Sequence, residues 1–509
     1  MPRGAWSVPS GGVDVMALAS LIYAGKKYWN NALRTPEEIR NMSETLFRRM
    51  LLFAWDNTEF YPSFYAKSGI ERGDLAAVPP EKLPVLTKDI VRTHTPEIAT
   101  VGVVRTSAGR YRPSERGVFT AHTSGSTGKP CDFMFSKSML TAVEGNFVRL
   151  VNLGGCHRVG WKDLPIKSLH AASVGEGYAD VLLLDKGLNK YHAQSVSVNT
   201  SDPLESWLGT IGDFKPNFIS GYPSCISLLA DLQNSGRLDI HPIKMITGGE
   251  PITPEQKKSF VRTFGCDIID FYGCTEGLLL GAGSSWYEGI YLFDDMNYCE
   301  TDVQGRLIFT QLHNKAFPLI RYRLSDIMEG FCRVGESRTS RAGAAGAGNE
   351  SSFSCDPDLL LRRAGTAGAG NNKTGCTDVL PFTHIDRVAG REEDLLWFKN
   401  SEGNPDFLHP LQIDELDAPG LIKLQFVKTG EDSFNVDCLV KCGSETSVKT
   451  EMKAEVRKIL NDKAMENVRF DIRCVDELYR DSRTGKIPVT CVFAITRIFP
   501  FGGLSDIQL

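Results

Sequence analysis

The sequence predicts an α/β protein: a large N-terminal domain of mainly parallel sheets flanked by helices, followed by a small α+β domain at the C-terminus. Three observations carry this reading. From Gly117 to about Asp326 short β-rich runs alternate with helical ones, one unit within that stretch reads as a complete βαβ crossover, and after Arg391 the pattern becomes a separate mixture of strands and a helix.

At the N-terminus the apolar stretch Val15 to Ala24 follows a single Arg3 in the manner of a secretory leader. Asp14 and Ser20 interrupt its neighbourhood and Lys26-Lys27 follow it, so an amphipathic helix is the preferred reading. A second helix is expected from Thr35 to about Asn57. Thr35 can cap it, Pro36 fits its first turn, Glu37 and Glu38 suit the dipole, and Ile39, Met42, Leu46 and Met50 share one face.

The alternating stretch then reads as strand Val118–Ala121, a helix near Ser138–Asn152, a helix opened by Pro203, strand Asn217–Ser220, a helix from Pro223, and strand Ile243–Thr247. The crossover unit comes next. Strand Ile243–Thr247 leads into helix Thr253–Phe264, with Thr253 and Gln256 as a capping box and Gly265 as its stop, and then into strand Cys266–Phe271. A parallel crossover brings the carboxyl ends of both strands to one sheet edge. Gly248-Gly249-Glu250 should therefore lie beside Tyr272-Gly273-Cys274-Thr275-Glu276-Gly277, at the edge where open α/β sheets bind ligands.

Residues 333–376 turn to Gly, Ala, Ser and Arg, with the near-repeats Ala342–Gly348 and Ala364–Gly370, and read as a disordered surface insertion. Beyond it Leu421–Lys428, Asn435–Lys441, a helix around Val448–Asn461, Val468–Val475 and Val489–Ile495 form a second domain of roughly 110 residues. The division expected is 1–390 for the large domain and 391–509 for the small one.

Composition narrows the function classes. At 509 residues, with 42% hydrophobic and 23% charged residues and a formal net charge of −5, the chain has no basic field for nucleic acid. Its 13 cysteines are scattered without a CxxC pair, so neither a zinc site nor a disulfide framework is written in the spacing, and a cytoplasmic setting is the simplest. No run reaches the roughly 20 apolar residues of a membrane span.

The sharpest motif is Thr123-Ser124-Gly125-Ser126-Thr127-Gly128-Lys129-Pro130, directly after a strand. Its glycines let backbone amides converge on an anion, its hydroxyls donate to phosphate oxygens, and Lys129 adds charge. It is not a Walker A loop, because Thr123 stands where that pattern needs Gly and Pro130 where it needs Ser or Thr. Taken singly, each other candidate has a plainer role: Asp326 as a turn residue, Tyr272 as a core aromatic, Glu276 as a solvated charge and Lys486 as a surface lysine.

Taken in order, this loop, Gly248-Gly249-Glu250, Tyr272-Gly273-Cys274-Thr275-Glu276, Arg321-Tyr322-Arg323-Leu324-Ser325-Asp326, Gly390-Arg391-Glu392-Glu393-Asp394 and Thr484-Gly485-Lys486 closely resemble the motif set of the adenylate-forming superfamily. The segments Phe60-Tyr61-Pro62-Ser63-Phe64-Tyr65 and Leu83-Pro84-Val85-Leu86-Thr87-Lys88 look like the phenylacetate–coenzyme A ligase branch. The resemblance implies an enzyme that uses ATP and Mg²⁺ to join a carboxylic acid, of the aryl or arylacetic class, to AMP and then to coenzyme A. It also implies that the small domain is mobile.

By that resemblance Thr123, Ser124, Gly125, Ser126, Thr127, Gly128 and Lys129 hold the ATP phosphates. Gly249, Glu250, Tyr272 and Gly273 border the adenine, Thr275 meets the AMP phosphate, Glu276 ligates Mg²⁺, Asp326 takes the ribose hydroxyls and Arg391 supports them. Lys486 reaches the α-phosphate and carboxylate, and Glu393 or Asp394 is the hinge. The sequence departs from the family pattern where Glu393-Asp394 replaces a pair of aspartates, where Ile487-Pro488 follows the lysine, and over 333–376. Two other readings stand beside this one. The acceptor can be another group, including an amine, a coenzyme or a protein thiol such as Cys474 or Cys491, or the chain can be a weakened nucleotide-binding relative.

Overall fold

The structure, a computed structural model, describes residues 15–107, 109–122, 131–152, 157, 159–163, 165–172, 194–199, 202–336, 380–389, 396–408, 413, 416, 418–479 and 489–491. Its central sheet runs in the order Thr383–Ile385, Tyr287–Leu292, Gly281–Ser284, Asp267–Tyr272, Lys244–Gly248, Phe218–Gly221, Lys167–Ala172, Gln194–Asn199. The five strands from Asp267–Tyr272 to Gln194–Asn199 are parallel. The other three pair antiparallel, and a second antiparallel sheet joins Asn297–Thr301, Arg306–Gln311, Tyr322–Glu329 and Arg387–Ala389. The parallel half is the part whose sequence alternates with helices. The antiparallel part combines short hairpins with two strands that return from beyond residue 380, which the alternation does not mark.

Side-chain alternation along the parallel strands supplies both faces of the sheet. Phe218, Ile246 and Ile269 enter one core, whereas Ile219, Met245 and Ile268 enter the core on the opposite face. The helices stop and start where local chemistry places the signals. In Pro36–Asn57 the Thr35 side chain accepts from the Glu38 amide while Glu38 accepts from the Thr35 amide. Pro254–Phe264 has the same device in Thr253 and Gln256, and it ends on Gly265 at φ 66°.

The N-terminal stretch is a helix, Val15–Asn31, that packs on helix Lys137–Leu150. A buried ion pair fixes it there. Arg149 donates to both Asp295 oxygens at 2.8 and 3.1 Å and to the Tyr28 carbonyl, and Asn31 donates to the same carboxylate at 2.9 Å. The Arg149 guanidinium also lies 4.1 Å from the Phe293 ring centre and 4.8 Å from that of Phe382.

Most of the expected 333–376 insertion lies outside the described residues. Its flanks converge: Cys332 and His384 exchange backbone hydrogen bonds of 2.8 and 2.9 Å, so the chain leaves and rejoins the fold at one place. The C-terminal body has its own core. Val448, Met452, Val456 and Leu460 of helix Glu445–Asp462 cover Phe426, Phe434 and Val436 of a sheet ordered Arg469–Cys474, Ser433–Val440, Leu421–Gly430, Thr490–Cys491. The hairpin Leu396–Lys399 with Pro405–Leu408 was not foreseen. Among the described residues no helix is long and apolar enough to cross a membrane.

Candidate active site

Gly248 stands opposite Phe271 in the parallel register, which sets Gly249-Glu250 beside the turn that follows Tyr272, as the crossover required. Gly249 has φ +80°, and a Cβ there would come within 2.7 Å of the Tyr222 ring, so only glycine lets this edge close against that aromatic. The Glu250 side chain turns to the neighbouring helix. Its carboxylate accepts from the Ser224 amide at 3.1 Å and the Ser224 hydroxyl at 2.9 Å, at the first turn of helix Pro223–Asn234, whose cap position Tyr222 supplies no side-chain acceptor.

The run from Gly273 to Leu280 is a closed turn. Leu280 donates to the Tyr272 carbonyl at 3.0 Å, Leu278 to that of Cys274 at 2.7 Å, and Gly281 pairs back on Tyr272. A Cβ at Gly273 would lie 2.1 Å from the Leu278 carbonyl oxygen, so a side chain there would open the turn. Thr275, half-buried, and Glu276, buried, sit within this turn beside the strand end.

Two phenol–carboxylate pairs organise the site. Tyr272 donates to Asp326 Oδ2 at 3.1 Å, and Tyr322 donates to Glu276 Oε1 at 3.2 Å. Burial first, and the neighbouring carboxylate second, hold both phenols far above their ordinary pKa, so each is a fixed donor. Gln311 Nε2 donates to the Glu276 carbonyl at 3.0 Å and pins the turn from below. Tyr322 carries no assigned role in the motif reading, although strand periodicity puts residues 322 and 326 on one face and could have flagged it.

Thr123 to Lys129 lie outside the described residues, but the strands that flank them are paired, with His122 opposite Asp132. The returning strand meets the site: Phe133 packs edge-on against Tyr322 at 6.1 Å. Burial pushes the Cys131 thiol up to about 12, with Lys88 pulling it down and Glu276 pushing it up, so the loop's exit lies within charge range of Glu276. Arg391, Glu393, Asp394 and Lys486 also lie outside the described residues. Of the two thiols considered as acyl acceptors, Cys491 is buried in the C-terminal sheet and Cys474 is half-buried.

A parallel sheet edge, glycine-lined approaches and two phenol-held carboxylates come together here, and residues 82–308 match the AMP-binding enzyme family. Beyond that stretch the chain is similar to phenylacetate-coenzyme A ligases, the branch of adenylate-forming enzymes that its motifs resemble. It is 27% identical over 304 residues to a phenylacetate-coenzyme A ligase of Pseudomonas putida, covering 55% of this chain and 64% of that one. To a phenylacetate-coenzyme A ligase of Escherichia coli (strain K12) it is 24% identical over 337 residues, 60% of this chain and 70% of that one. The match thus spans just under two thirds of the first relative's length. In fold it is similar to 2-hydroxyisobutyryl-CoA ligase in complex with 2-HIB-AMP and CoA, at 14% identity, with 90% and 91% of the two chains covered and a TM-score of 0.54.

Proposed function

We propose that this chain is an ATP-dependent acid–thiol ligase that converts a carboxylic acid, of the aryl or arylacetic class, to its acyl-AMP and passes the acyl group to coenzyme A. The observation that carries the reading is the pair of phenol-held carboxylates, Asp326 on the second sheet and Glu276 in the turn after Tyr272, which meet where that strand ends beside Gly248. The names of the relatives it resembles, phenylacetate-coenzyme A ligases, support the class of acid.

Asp326 is an acceptor placed for two vicinal hydroxyls, and the Tyr272 ring beside it offers an aromatic face to a purine. Glu276 fits Mg²⁺: with one oxygen taken by Tyr322 it keeps the other free, and that ion is commonly held by one or two carboxylates together with substrate phosphates. When bound there, Mg²⁺ supplies positive charge among the phosphate oxygens. In the first half-reaction a carboxylate oxygen of the acid attacks the α-phosphorus in line, and the bond to pyrophosphate breaks with its electron pair on the leaving oxygen. In the second, a thiolate sulfur attacks the acyl carbonyl and AMP departs with the C–O electron pair.

Thr275 would meet the AMP phosphate, Thr123–Lys129 would cradle the outgoing phosphates, Arg391 would steady the ribose, and Lys486 would neutralise the charge developing at the α-phosphate. We place the division between the bodies at 390/391 and the enzyme in the cytoplasm. The test separates the half-reactions. Lys486→Ala should slow acid-dependent pyrophosphate exchange by about 10²-fold or more, yet form thioester from presynthesised acyl-AMP at near the parent rate. Equal loss in both steps, or no exchange by the parent chain with any aryl acid, refutes the reading.

A further inference from the structure

The hairpin Leu396–Lys399 with Pro405–Leu408 has two apolar faces that belong to different cores. Leu396, Phe398 and Leu408 enter the core of the C-terminal body, while Phe407 enters the core beside the central sheet and Trp397 packs against it. Phe407 meets Trp207 edge-on at 6.2 Å and Trp397 at 5.5 Å. The hairpin is therefore the seam between the two bodies.

The polar chemistry of the seam is unusual. Asp406 and Lys463 both belong to the C-terminal body and pair at 3.1 Å, with side chains 2% and 0% exposed. What they meet across the seam is backbone. Lys463 Nζ donates to the Asp202 carbonyl at 3.1 Å, and Asp406 Oδ2 accepts from the Leu204 amide at 3.3 Å. Leu204 opens helix Leu204–Phe214, whose own cap position is Pro203, a residue with no side-chain acceptor. An ion pair preassembled on one body thus fits, end for end, a free carbonyl and the positive N-terminus of a helix on the other.

We infer that Asp406 and Lys463 form a reversible latch: a charged plug that caps helix Leu204–Phe214 from the C-terminal body and holds that body in one docked pose. Reversibility follows from the groups involved. On undocking, both ions stay together and gain water, and the backbone carbonyl and amide they leave can also hydrate, so no polar group is orphaned. Burial pushes the Asp406 carboxyl up and pulls the Lys463 ammonium down, each opposed by the other's charge, and undocking relieves that cost. The plug also sits close to the nucleotide edge. Lys463 is within charge range of Cys225, next to the Ser224 that holds Glu250.

The test uses the full chain and reads docking directly. Asp406→Ala takes from buried Lys463 its carboxylate counter-ion, a loss that hydration on undocking would offset. Amide exchange should rise by about tenfold both at Leu204–Trp207 and on the hairpin strands, and the radius of gyration from small-angle scattering should increase. A rise confined to the Leu204 amide, with unchanged dimensions, would show a local helix cap and overturn the latch. If Asp406→Ala also loses protection on strand Ser433–Val440, Asp406→Asn decides. It retains an acceptor, and it must undock while that strand stays protected, or the pair is a folding element and the inference fails. On the ligase reading, Asp406→Ala should also shift the ratio of the two half-reaction rates; the exchange and scattering results stand whether or not that reading does.

Discussion

The hydrogen bond from Tyr272 to Asp326 offers a sharp test of the proposed nucleotide site. Tyr272→Phe removes one oxygen and leaves the ring in place, so purine stacking should persist while the carboxylate loses the donor that fixes it. A hydrogen bond to a charged group contributes about 1.5–3 kcal/mol when buried. Here the phenol is 9% exposed, but Asp326 is half-buried and can recover a water, so the lower half of that range applies. A loss of about 1.5–2 kcal/mol corresponds to roughly 13- to 30-fold weaker ATP binding. Calorimetric titration of ATP measures it without relying on turnover, and kcat at saturating ATP should change little, since ribose orientation is shared by ground and transition states. Asp326→Ala should cost more. In the double mutant the two losses should fall short of their sum by about 1 kcal/mol. Additive losses, or a Tyr272→Phe protein that binds ATP normally, would separate Tyr272 from the ribose carboxylate and dismantle this half of the site.

Two further predictions concern backbone and charge. Gly249→Ala should weaken nucleotide binding and lower the melting temperature, because φ +80° costs an L-residue about 1–2 kcal/mol and the new methyl also meets the Tyr222 ring at 2.7 Å. Gly236→Ala, at φ +72° with open space around it, carries the backbone cost alone, so equal melting shifts in the two would mean that the ring contact is unimportant. Asp294 is fully buried and accepts from the Thr383 amide at 2.6 Å and hydroxyl at 2.8 Å, yet burial pushes its carboxyl up to about 7. The folded state then holds a proton that the unfolded chain releases near its ordinary value of 3.8, so stability is full below that value and falls as pH rises towards 7. Relative to Asp294→Asn, the parent should lose on the order of 1 kcal/mol per pH unit across that window, and parallel stability profiles for the two proteins would rule out a raised Asp294.

What the sequence makes legible is what short-range chemistry decides. Thr35, Pro36 and Glu38 lie within one helical turn of each other, as do Thr253 and Gln256, and in both cases the cap forms as spaced. The juxtaposition of Gly248 with Phe271 is also readable, because a single short crossover leaves no freedom in which edge the two strand ends share. The side-chain roles at that edge are less so. Glu250 is claimed by Ser224, twenty-six positions away, and Tyr322 by Glu276, forty-six positions away. Nothing in the local pattern of either residue reports its partner. The hairpin at 396–408 shows the same limit in its strongest form. The unbroken apolar run Leu396, Trp397 and Phe398 marks a strand apolar on both faces, a pattern that by itself points to one buried sheet. The structure divides those faces between two cores, and the residue that settles the division is Lys463, fifty-seven positions beyond Asp406. A buried lysine is costly enough that its site must be built around it, and here that is done by the Asp406 carboxylate of its own body and the Asp202 carbonyl of the other. Composition counts Lys463 as one more surface charge; only the assembled seam shows why a lysine stands there.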